Sequence, residues 1–179
     1  MSKTINFRKL RYVPIVKFSG IFDYEQLMKT LRSWIVNQGY EFHETSVKYK
    51  VPSPSGSEIE YAWWGWRKVN SYVKYHIDIF FHFWHFHDVE VVRDGKKQKL
   101  QSARLQMEIS GRVELDWTSR FGGSKMMQAL ADFYDNYIIR RDIDTIYGDQ
   151  LYYRLYKFQR VAKEFLEFES KESAYEDVW

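Results

Sequence analysis

Four of the five histidines fall between positions 76 and 87 (His76, His82, His85 and His87), in a chain without cysteine. The chemistry this raises first is metal binding. Imidazole is a common ligand for divalent transition metals, and His85 and His87, two apart on a strand, can present both rings to one ion. A third ligand is then needed, and the expected cross-strand partners Leu105 and Ala103 supply none. On the other strand face, His82 with Glu108 and Glu60 makes a candidate metal centre drawn from three strands. His76 cannot join it without a bulge, because each two-residue step along a strand covers about 6.8 Å.

Acid–base chemistry is the second option. His82 beside Glu108 and His76 beside Glu114 have the right groups, but catalysis also needs a cleft. Ser110, His82 and Asp78 can be assembled as a nucleophilic set, yet nothing around Ser110 resembles a nucleophile elbow. The segment Gly122-Gly123-Ser124-Lys125 could greet an anion at a helix start, but it lacks phosphate-loop spacing. Charge pairs lined up on a strand are more often a solvated or interfacial surface. No catalytic residue and no cofactor is therefore assigned, and a non-enzymatic role is preferred. A hydrolase or metal-dependent enzyme using the His76–His87 cluster is the third choice.

The elements that must carry these residues read as follows. Val13 to Phe18 is a short apolar strand. Asp23 caps a helix, with Gln26 placed to complete a capping box. Leu27, Leu31, Trp34 and Ile35 form its inner face, and Gly39 stops it. Tyr40 to Val51 is a second strand, followed by a Pro/Ser/Gly loop at 52–56. Strand signals then dominate from Ser57 to Trp117. Glu58–Lys68 turns at Asn70-Ser71 into Tyr72–Val92, and Asp94-Gly95 turns that into Lys97–Trp117.

Alternation in the last strand is clean. Ala103, Leu105, Met107, Ile109, Val113, Leu115 and Trp117 share an apolar face, matched by Val73, Tyr75, Ile77, Ile79, Phe81 and Phe83. Apolar faces must coincide, so paired residue numbers should sum to an even value. A three-residue loop over positions 94–96 gives 190. That register pairs Lys74 with Asp116, His76 with Glu114, Asp78 with Arg112 and His82 with Glu108. Beyond it, Ser124 caps a helix carrying Met127, Leu130, Phe133, Tyr134, Tyr137 and Ile138. A last helix over 149–168 turns Leu151, Leu155, Phe158, Ala162 and Phe165 inward.

The order β-α-β-β-β-β-α-α predicts a two-layer α+β fold. A curved antiparallel sheet of about five strands carries all three helices on one face. It is expected to be a single domain over 1–169 with an acidic, aromatic tail at 170–179. The order is similar to that of helix-grip folds, which implies an apolar cavity between sheet and C-terminal helix. A small apolar ligand there is the second functional reading.

The leading reading rests on the rings, which make up 19% of the chain. Core filling accounts for Tyr75, Phe81, Phe83 and Trp117. It does not account for Trp64, Trp66, Phe80, Trp84 and Phe86, which parity puts on the face without helices, among Arg104, Arg112 and their acidic partners. Apolar anchors inside polar surroundings are what a protein interface needs, and mixed charge suits a two-fold homo-oligomer. The tail rings Tyr175 and Trp179 are counted with this surface, docked on the same subunit or on another.

Nucleic acid is disfavoured, because four cations (Lys68, Lys74, Arg104, Arg112) face seven carboxylates (Glu58, Glu60, Asp78, Asp88, Glu108, Glu114, Asp116) on that side. No run of residues is long and apolar enough for a membrane span, and Met1 to Leu10 lacks the apolar core of a signal peptide. A cytoplasmic location is expected.

Overall fold

The computed structural model describes residues 3–6, 14–53, 56–93, 96–118, 125–133 and 143–173. Six strands form one curved, unclosed antiparallel sheet in an α+β fold. They are β1 (Lys3–Asn6), β2 (Ile15–Phe22), β3 (Glu41–Ser53), β4 (Gly56–Lys68), β5 (Val73–Arg93) and β6 (Lys96–Leu115). The sheet runs β6-β5-β4-β3, with β1 and β2 both pairing with the free side of β6, so β5 is its central strand.

The helices are α1 (Tyr24–Asn37), α2 (Lys125–Phe133) and α3 (Asp149–Ser173), and a π-helical segment, Ile143–Gly148, leads into α3. At the start of α1 the Asp23 carboxylate accepts the Gln26 N–H at 2.9 Å, and Gly39 ends the segment at φ 76°. Leu27, Leu31 and Ile35 of α1 and Leu151, Leu155, Phe158, Ala162 and Leu166 of α3 are buried against Tyr75, Ile77, Ile79, Phe81, Phe83 and the apolar face of β6 in one continuous core. Gly111 lets α3 come this close. A β-carbon there would lie 3.1 Å from both Leu151 and Leu155.

The expected curved antiparallel sheet of about five strands is present, with a further short strand because Lys3–Asn6 also pairs with β6. Several details need correction. Only α1 and α3 cover the apolar face among the described residues, since Met126, Leu130 and Phe133 of α2 are exposed. Ser124 and residues 134–142 of the expected α2 lie outside the described residues, as does the tail with Tyr175 and Trp179. In α3, Phe165 packs against the core as expected, and its neighbour Leu166 is buried as well.

The β5–β6 register is also different. Arg93 pairs with Lys96, so the hairpin closes on positions 94 and 95, and the partner numbers sum to 189. A bulge between Trp84 and His87 then sets two residues against one, and from Trp84 back to Val73 the sum is 188. His85 takes φ 55° in that bulge. It turns Phe86 to the helix side, where its ring meets Tyr24 at 5.2 Å and Phe83 at 6.0 Å. A second left-handed residue, Asp116 at φ 50°, ends β6 and inverts the alternation again. Asp116 is buried and Trp117 swings to the opposite side, its indole N–H donating to the Asn70 carbonyl at 2.9 Å.

Candidate functional site

The face of the sheet opposite α1 and α3 gathers most of the residues singled out by the sequence. Direct cross-strand partners share a face. The ladder therefore puts Trp64, Asp78 and Ser110 in one row, Ala62, Phe80 and Glu108 in the next, and Glu60, His82 and Gln106 beyond. Trp66, His76 and Arg112 form a row on the other side of the first, and Trp84 pairs with Arg104 past His82. Of the expected interface set, Trp64, Trp66, Phe80, Trp84, Arg104 and Arg112 are brought together here. Phe86 is not.

The rings are held by polar neighbours rather than left loose. Trp84 stacks on His82 with centroids 3.7 Å apart, and the Arg104 guanidinium lies 5.3 Å from the Trp84 ring centre. Trp64 stacks on His43 of β3 at 4.2 Å. At one end of the face, the Lys68 and Lys74 ammonium groups both lie within 5.5 Å of the Trp66 and Trp117 ring centres. Phe80, midway along the regular part of the central strand, is 38% exposed. Around it opens a cleft of about 720 Å³, lined by Trp64, Asp78, Phe80, Glu108, Ser110 and Arg112 among others.

Two of the four expected charge pairs survive the register change, made diagonally instead of directly across. His76 Nε2 lies 2.7 Å from a Glu114 oxygen, and Arg112 contacts the Asp78 carboxylate at 3.1 and 3.2 Å. Lys74 joins Glu114 at 3.4 Å instead of Asp116. His82 leaves Glu108, which takes a hydrogen bond from Gln106, and turns to β4, with Nε2 2.6 Å from Glu58 and 3.8 Å from Glu60. Of the candidate set His82, Glu108 and Glu60, two members converge, and Glu58 replaces Glu108. The signal for Glu58 was present in the short β4–β5 connection: closing Lys68 on Lys74 puts Glu60 opposite His82 and Glu58 two residues along on the same face. His85 and His87 do not converge on an ion, because the bulge interrupts them and His87 Nδ1 lies 2.7 Å from the His85 carbonyl.

Electrostatically the face is balanced rather than acidic. Asp88 and Asp116 leave it, while Lys17, Lys48, Lys50 and Glu41 join it from β2 and β3 opposite Gln106, Glu60, Glu58 and Trp66. Cations and carboxylates are intermingled in nearly equal numbers, so no phosphate-attracting field builds up.

Burial alone would raise the Glu114 carboxyl, but the His76 hydrogen bond and the Lys74 charge outweigh it and hold the group below its ordinary 4.5. A carboxyl lowered on folding contributes stability that is complete above its unfolded value and is lost as the pH falls through the folded one. Glu114→Gln is expected to cost about 1–2 kcal/mol at neutral pH and progressively less below pH 4.5. Thermal midpoints of both proteins across the acid range measure this. A difference that stays constant with pH would show that the pair contributes nothing through ionisation.

No protein-family model matches the chain, and no curated protein matches it in sequence.

Proposed function

We propose that this is a non-enzymatic, self-associating protein whose outer sheet face packs against the same face of a second copy. The observation that supports the reading is the placement of rings. Trp64, Trp66, Phe80 and Trp84 stand among interleaved charges on the face opposite both core-forming helices. A face carrying nearly equal numbers of intermingled cations and carboxylates can meet its own copy under a two-fold rotation without net repulsion. Phe80, exposed at the middle of the central strand beside the cleft, is the natural anchor, because binding energy concentrates in central, desolvated aromatic contacts.

The alternative of a small apolar ligand held between sheet and C-terminal helix has less support. The void where such a ligand would lie, beside Tyr40, Ile77, Leu155 and Phe158, holds about 10 Å³, against hundreds of Å³ for a small-molecule site.

The test is the mass of the purified protein under native conditions, with and without Phe80→Glu. The wild-type chain is expected at a multiple of 21.8 kDa. Phe80→Glu is expected to weaken association by about 2 kcal/mol or more, roughly thirty-fold, with an unchanged circular-dichroism spectrum. Trp84→Ala should act in the same direction. A wild-type monomer at all concentrations overturns the reading. So does an assembly indifferent to both substitutions. A monomer that retains a small bound molecule would transfer the cleft to a ligand.

A further inference from the structure

We infer that Glu58, Glu60 and His82 form a binding site for a divalent transition-metal ion of the zinc type. One ligand atom from each lies within 4.8 Å of the others, and none of the three residues is fully exposed. The His82 Nε2 stands 2.6 Å from Glu58 and 3.8 Å from Glu60. Two donors about 2 Å from a tetrahedral ion lie about 3.3 Å apart, a spacing these two distances bracket. An ion seated among the three atoms replaces the direct His82–Glu58 contact and leaves a fourth position for water.

The donors are held by the sheet rather than by loops. Glu60 and His82 are direct partners on β4 and β5, two adjacent interior strands. The His82 ring is fixed from one side by the stacked Trp84 and meets the Phe80 edge at 6.2 Å, so its Nε2 is aimed at the carboxylates before any ion arrives. Such preorganisation separates a site from a chance cluster of acids. One nitrogen and two oxygens suit zinc, and also cobalt, nickel and iron, in preference to magnesium or calcium, which take oxygen ligands.

The carboxylates already attract a cation. The Lys50 ammonium, on a long and mostly exposed side chain from edge strand β3, reaches Glu58 at 2.8 Å and Glu60 at 3.7 Å. It can swing into solvent at little cost, which makes it a competitor that the ion displaces. This inference does not depend on self-association.

The test is titration of the full-length protein with Zn²⁺ by calorimetry, repeated with Mg²⁺, and with Co²⁺ followed by its visible absorption. One zinc per chain is expected, with a tetrahedral-type cobalt spectrum and no response to magnesium. Glu60→Gln and His82→Ala should each weaken zinc binding at least ten-fold, while Lys50→Met should strengthen it several-fold. Glu60→Gln is nearly isosteric, so its thermal midpoint without metal serves as the folding control. Absence of zinc binding by the wild-type chain overturns the proposal, as does binding of undiminished affinity in both ligand variants.

Discussion

Replacing Phe83 with alanine is expected to lower the free energy of unfolding by about 3–5 kcal/mol, a large part of the margin of an ordinary domain. The ring is fully buried on the helix-facing side of the central strand. Five others surround it: Phe22, Tyr24, Tyr61, Phe81 and Phe86, with centroids 5.5 to 6.3 Å away. These come from β2, the start of α1, β4, and β5 both before and within its bulge, so no single movement closes the hole that alanine leaves. Edge-to-face geometry adds to the area term, since the Tyr24 and Tyr61 rings meet Phe83 near 80–87°. Urea unfolding should show a lower midpoint at an unchanged slope. Phe80→Ala, on the outer face of the same strand, should cost far less in the unassociated chain. A loss at Phe83 below about 1 kcal/mol would mean that the ring cluster does not hold the two layers together.

The same strand shows what the sequence could and could not reveal. Alternation from Val73 to Phe83 and from Ala103 to Leu115 identifies the core face correctly, because every residue in those two runs obeys the two-residue period. That was enough to put Trp64, Trp66, Phe80 and Trp84 on the other side. The period fails at His85 and Asp116, where the backbone enters the left-handed region and each inversion exchanges inside for outside. Phe86 moves from expected surface to core, and Trp117 makes the reverse trip. Histidine and aspartate are among the non-glycine residues most often found with positive φ, but many of both occur in this chain, and nothing local singles out these two.

The register was lost for a related reason. Asp94-Gly95 is a strong two-residue hairpin signal, yet closing on it gives an odd sum, which puts apolar residues opposite polar ones. Parity therefore favoured a three-residue loop. The bulge satisfies both requirements at once, odd beyond His87 and even before Trp84, a solution with no signature in composition or spacing. The candidate site inherited the error. The even-sum register pairs His82 toward β6, while its partners Glu58 and Glu60 lie on β4. His76–Glu114 and Asp78–Arg112 survived because long side chains reach diagonally across a two-residue offset.

That bulge depends on Gly56, and Gly56→Ala is expected to be the most damaging conservative change in the sheet. Gly56 has φ 113°, which an L side chain rarely adopts, and a β-carbon on it would stand 2.6 Å from the His85 carbonyl carbon and 2.8 Å from its oxygen. Those atoms are backbone and cannot rotate aside. Strain at the glycine costs about 1–3 kcal/mol, and the steric overlap adds a similar amount. The chain must yield by opening the His85–Phe86 bulge, which draws Phe86 away from Tyr24 and Phe83 and frees the 87–93 segment of β5 from its partner. Gly20→Ala is the matched control, since its β-carbon meets the Phe18 ring tip at 3.0 Å, a side chain that can shift. Gly56→Ala should therefore lose several times more stability than Gly20→Ala in urea unfolding. Amide exchange should also quicken selectively in residues 87–93 and 96–102. Equal losses for the two alanines, or exchange that quickens uniformly, would show that the bulge tolerates a side chain at position 56 and that the ring cluster, rather than the glycine, holds Phe86 in the core.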